Sequence, residues 1–225
     1  MFAVIFEARP RPGQWDAYLD NAARLRSDLE QVDGFIDNIR YRSLTREGWI
    51  LSLSDWRDEK SLVRWRTDAL HHEVEERGRS AILAEYHLRV GEITNDTRIP
   101  AGHGLVEQRL DETRVGEGTA LTLIDARRPT EWNETSNPAD CSQFLGLDPY
   151  ADGLLDWDVL EAVLTPGDLI LVQSWRTGAA AESFELTTEL PPGARLRRVR
   201  VVRDYGMFDR REAPEYFPKV AASQT

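Results

Sequence analysis

Apolar and polar residues alternate at the start of the chain. Phe2–Glu7 reads FAVIFE, and a period of two predicts a half-buried strand. The pattern returns at Ala120, in ALTLIDAR. Each run leads through proline into a polar stretch with an early tryptophan, Trp15 in the first and Trp132 in the second. In the first stretch Trp15, Tyr18, Leu19, Ala22, Leu25, Leu29 and Val32 share one helical face. That spacing predicts an amphipathic helix, closed at Gly34. Strands are predicted next at Ile36–Leu44 and Trp49–Trp56, and in the second half at Trp157–Leu164 and Leu169–Trp175. The connections are Thr45–Gly48 and Thr165-Pro166-Gly167-Asp168. Proline presets φ and glycine accepts positive φ, so Pro-Gly between apolar runs is a hairpin signal. Both hairpins end in Trp-Arg, at Trp56-Arg57 and at Trp175-Arg176, 119 residues apart.

A helix is predicted after each Trp-Arg. The first runs from Asp58 to about Leu83, kinked at Thr67-Asp68 where new capping residues occur, and the second spans Gly178–Glu189. Strands at Tyr86–Ile93 and Leu196–Tyr205 close the two halves. The order in each is β-α-β-β-α-β, the ferredoxin-like split motif. The expected class is therefore α+β: two tandem ferredoxin-like domains from one duplication, at 1–95 and 119–225. A charged, glycine-bearing linker at 96–118 would join them.

Composition narrows the function. The chain has 225 residues and a net charge of −11, which argues against nucleic acid or an anionic membrane as partner. Hydrophobic residues make up 41%, enough for a core. A single cysteine, Cys141, excludes an intramolecular disulfide framework and multi-cysteine zinc sites. No apolar run approaches the length of a membrane span and no signal peptide precedes the first strand, so a cytoplasmic location is expected.

The stretch from Gly34 to Arg79 resembles the antibiotic biosynthesis monooxygenase (ABM) domain family. The matching residues, in order, are Gly34, Phe35, Ser43, Leu44, Leu51, Ser52, Trp56, Asp58, Glu59, Trp65 and His72. The resemblance covers about Phe2 to Ile93. The second half shares the element order and the Trp175-Arg176 strand end but has no histidine. Members of this family typically pair two sheets face to face as an α+β barrel. Two copies in one chain would close that barrel internally, or each would pair with its equivalent in a homodimer.

The resemblance implies a cofactor-free oxygenase that takes an aromatic or polyketide-like molecule and molecular oxygen. Such chemistry needs aromatic walls, an oxyanion contact and a proton relay. His72 is the expected relay, with Arg40 or Asn38 as the oxyanion contact. Trp56, Trp65, His71 and Tyr86 are candidate walls and ligands, packing being the plainer role for the two tryptophans. His71 and His72 are adjacent on a helix and point about 100° apart. The segment from Arg195 carries seven arginines in 26 residues. There Arg200 and Tyr205 are candidates for contact with an anionic substrate, and Tyr216-Phe217-Pro218 is expected to dock over a pocket mouth or seam. Heme is the alternative cofactor, known in relatives of this fold; Glu75 stands where the heme-degrading pattern has its histidine, and a colourless protein is expected. No metal site is expected, since no second ligand cluster completes His71-His72. A non-enzymatic binding or stress-response module, using a cavity between the sheets, is the other alternative.

Overall fold

In the computed structural model residues 1–106, 116–132, 137–210 and 213 are described. Eight antiparallel strands form one closed barrel in the order β1-β3-β2-β6-β7-β5-β8-β4. The first half supplies β1 (Phe2–Pro10), β2 (Phe35–Ser43), β3 (Ile50–Trp56) and β4 (Leu83–Asp96). The second supplies β5 (Ala120–Arg127), β6 (Leu154–Ala162), β7 (Asp168–Trp175) and β8 (Arg195–Gly206). Five α-helices lie outside: α1 (Trp15–Leu29), α2 (Glu59–Arg66), α3 (Ala69–Arg77), α4 (Pro138–Phe144) and α5 (Gly178–Thr187). The barrel closes within this one chain. Its two seams differ, with nine paired positions between β4 and β8 and three between β2 and β6.

Inward-facing residues of both halves, among them Ile5, Leu53, Leu123, Ile170 and Val199, fill the barrel and are nearly or fully buried. The space between the facing sheets is therefore core, not cavity. Charges sit beside this core in cross-connected pairs. Arg46 of the β2–β3 turn reaches Asp158 on β6 at 2.7 Å, and Arg197 on β8 reaches Asp55 on β3 at 2.8 Å.

Local chemistry explains the boundaries. The helix α1 stops at Leu29, before Val32, and Gly34 instead turns the chain into β2 at φ +92°. The expected long second helix divides into three pieces. Asp58 caps α2 by accepting from Ser61 N at 2.7 Å, and Asp68 caps α3 by accepting from Leu70 and His71 N at 3.0 Å. A single π-helical segment, Gly78–Ile82, then carries the chain into β4. In the second half Gly153, φ +80°, occupies the place of Gly34. Its carbonyl accepts from Arg176 N at 2.9 Å, as that of Gly34 accepts from Arg57 N at 2.8 Å. The strand β4 continues to Asp96, the first residue of the expected linker. Tyr216-Phe217-Pro218 lies outside the described residues.

Candidate functional site

A cavity of about 210 Å³ separates the outer face of the first half's sheet from α1, α2 and α3. Strand register builds its floor. Arg40 on β2 lies opposite Ser52 on β3, Ser52 opposite Phe6 on β1, and Phe6 opposite Leu88 on β4. One row further, Asn38 meets Ser54, Ser54 meets Val4 and Val4 meets Val90. Side chains two residues apart share a face, so the floor is polar at the β2–β3 edge and apolar over β1–β4. Tyr18 and Leu25 of α1, Trp65 of α2, and His71 and Val74 of α3 form the roof. Tyr86 and Tyr205 stand at the β4–β8 edge.

Asn38, Arg40, Trp56, Trp65, His71, Tyr86 and Tyr205 all line this one cavity. His72 does not: it is exposed, turned about 100° around α3 from the cavity-lining His71. The Asp68 cap sets the phase of this short helix and aims His71 inward. Arg200 is also elsewhere, bonded to Glu92 on β4 at 2.6 Å. Along the β4–β8 ladder Arg200 pairs with Glu92 and Tyr205 with Leu88, and only Tyr205 lines the cavity. Tyr18, Arg79 and Arg210 line the cavity and were not anticipated. A phenol in the otherwise apolar stripe of α1 was the available signal for Tyr18. Nothing in the sequence marks a π turn, so Arg79 had none.

The polar groups are held in place. Asn38 Nδ2 donates to Ser52 Oγ at 3.0 Å and to Leu53 O at 3.1 Å, and Trp56 Nε1 donates to Ser54 Oγ at 2.9 Å. Tyr86 Oη accepts from Arg79 Nη1 at 2.5 Å and from Arg210 Nη1 at 2.6 Å. Both lone pairs are then engaged and the phenol proton is left to donate. Burial raises the Tyr86 pKa and the two guanidiniums oppose it; burial likewise raises Tyr18. Both phenols are protonated donors at neutral pH. The ring of His71 lies against Trp65 with centroids 4.5 Å apart. Burial pulls His71 down to about 4 against the pull of Asp68, which keeps the imidazole neutral. Its Nε2 is 3.9 Å from Glu75.

This arrangement can hold an apolar molecule, donate hydrogen bonds at both ends and offer a neutral imidazole between them. Among the described residues no group of His, Cys, Asp and Glu is placed to hold a metal ion, and no helix is long and apolar enough to cross a membrane. The buried Cys141 belongs to the core of the second half.

Residues 1–77, which supply much of the floor and roof, match the model of the antibiotic biosynthesis monooxygenase family. The chain is 49% identical over 221 residues to the jasmonate monooxygenase ABM of Pyricularia oryzae, covering 97% of this chain and 99% of that protein. The structure of an aldoxime dehydratase in complex with butyraldoxime shares the fold, with a TM-score of 0.56 and 11% identity over 89% of this chain and 79% of that one. An anthrone oxidase-like protein is similar at a TM-score of 0.38 and 13% identity, over 95% and 96% of the two chains. With a family model matching residues 1–77 and a relative of this identity over nearly its whole length, the chain belongs to the antibiotic biosynthesis monooxygenase family.

Proposed function

We propose that the protein is a monooxygenase that seats an apolar small molecule in the cavity beneath α1–α3, and that this molecule is a jasmonate or a close analogue. The observation that carries the reading is the floor itself, apolar in the middle and hydrogen-bonding at both ends, with its β1, β2 and β3 residues in the segment that matches the family. The activity named for the Pyricularia oryzae relative supports the substrate class.

We extend the reading to a cofactor-free route. Its electron balance closes when an activated methylene becomes a carbonyl. The methylene loses a proton to give an enolate, the enolate reduces oxygen, and a hydroperoxide then loses water. One oxygen atom ends in the product and the other in water, with no outside reductant. Tyr86, its phenol backed by two guanidiniums, is the donor for the enolate oxygen. His71, neutral at pH 7, takes the relay role expected of His72. An anthrone satisfies the same balance and is the comparison substrate.

An oxygen electrode tests this with purified protein, jasmonic acid or an anthrone, and no added reductant. Expected is oxygen uptake and a product that gains one oxygen and loses two hydrogens. Uptake at background with both compounds would defeat the reading. Turnover that depends on added hemin or reductant would remove the cofactor-free part alone.

A further inference from the structure

The chain is strongly acidic overall, yet four arginines, Arg40, Arg66, Arg79 and Arg210, line the cavity against one carboxylate, Glu75. Arginines of the barrel wall are matched by carboxylates. Arg89 meets Glu7 at 2.5 Å, Arg195 meets Asp96 at 2.7 Å, and Arg197 meets both Asp55 and Asp125 at 2.8 Å. Arg40 breaks the pattern. It forms no ion pair among the described residues, and its Nε is shut off from solvent with no hydrogen-bond partner. The Tyr18 phenol lies beside it, close enough for the guanidinium to act on the phenol's ionisation. A guanidinium held partly out of water without a counter-ion is costly, and the cost is recovered when an anion arrives.

We propose that Arg40 is the carboxylate anchor of this site: the ligand is taken as its ionised acid, paired with the Arg40 guanidinium beside the Tyr18 hydroxyl, and the corresponding ester is rejected. The inference rests on the cavity being the substrate site. It assigns Arg40 to recognition of a permanent charge, away from the developing oxyanion. Three strand spacings separate β2 from β4, so the anchor lies roughly 14 Å across the sheet from the Tyr86 strand. A carboxylate fixed at one edge then points the rest of the molecule over the apolar floor toward Tyr86.

Quenching of tryptophan fluorescence, from Trp56 and Trp65 in the cavity wall, measures binding to the full-length chain. Two acid–ester pairs serve as probes: jasmonic acid with methyl jasmonate, and naphthaleneacetic acid with its methyl ester. Wild type should bind each acid about ten- to a hundredfold more tightly than its ester, the range expected for a charge-assisted pair. Arg40→Gln should bind acid and ester equally, with ester affinity unchanged, and Arg40→Lys should recover part of the preference. Melting temperatures confirm that both variants fold. Arg79→Gln should keep the acid preference.

Equal binding of acid and ester by wild type, or an acid preference that survives in Arg40→Gln, would overturn the anchor. A preference shown only by the naphthalene pair would leave the anchor standing and remove the jasmonate assignment. Absence of binding by either pair would overturn both.

Discussion

The row Arg40–Ser52–Phe6–Leu88 in the first half has a register-matched counterpart in the second, Val159–Leu171–Ile124–Leu196. In one half the row floors a cavity and begins with a charge. In the other all four residues are apolar and buried in one cluster with Cys141 of α4, Phe184 of α5, and the neighbouring Leu145 and Trp175. The helices differ accordingly. Three segments and a π turn stand over the first sheet face, whereas seven-residue α4 and ten-residue α5 cover the second. One strand pattern thus supports a site where polar floor residues and a standing-off roof coincide, and supports a plain core where they do not.

Truncating a core tryptophan tests the contrast most severely. Trp175→Ala, at a fully buried position, should cost about 3–5 kcal/mol in urea unfolding. Trp56→Ala should cost less, because that ring borders a cavity, and should also weaken ligand binding. Equal costs would mean that the first half is as tightly packed as the second. Next in size is a transplant of the second half's row. Arg40→Val with Ser52→Leu should lower kcat/KM on the order of a hundredfold, about 2.7 kcal/mol of transition-state binding, with the fold retained. Full activity in a folded double variant would place the site elsewhere.

His71 has no counterpart, since the second half lacks histidine, and this gives the contrast a pH dependence. Its folded pKa, about 4, lies below the unfolded value of about 6.5. The unfolded chain therefore binds more protons between those values, and stability falls as pH drops through the window. Wild type should lose on the order of 2–3 kcal/mol more than His71→Gln between pH 6.5 and 4, and match its slope above pH 7. Parallel curves throughout would show that His71 is not buried in solution. The smallest effect compares the helix caps. Asp58→Ala and Thr177→Ala each remove a side-chain acceptor from a helix start, and each should cost about 1 kcal/mol in thermal unfolding.

Much of the barrel was legible because strand alternation and turn glycines are local signals. Gly34 and Gly153, Trp56 and Trp175, and Arg57 and Arg176 carry the same backbone events at a constant interval. The site was legible only in outline. Asn38 and Arg40 of β2 line the cavity together, since side chains two apart on a strand share a face. Which of the two histidines faces the cavity is not legible, because the helix phase depends on where Asp68 restarts the helix. The separation of Arg200 from the cavity that Tyr205 lines is not legible, because its pairing with Glu92 depends on strand register. The location of the cavity, over the sheet and not between the sheets, depends on how far α1–α3 stand from β1–β4. That distance is a property of packing.

The crossed ion pairs bear on how the chain tolerates being cut. Arg46 is answered by Asp158, and Asp55 by Arg197, each from the opposite half. A fragment ending after β4 would keep Asp55 without Arg197 and expose the edges of β2 and β4. Mixing two such fragments should restore the buried charges in pairs, so reassembly should be nearly all-or-none. Amide exchange should then be slowest along β4 and β8, and fastest at the three-rung join between β2 and β6.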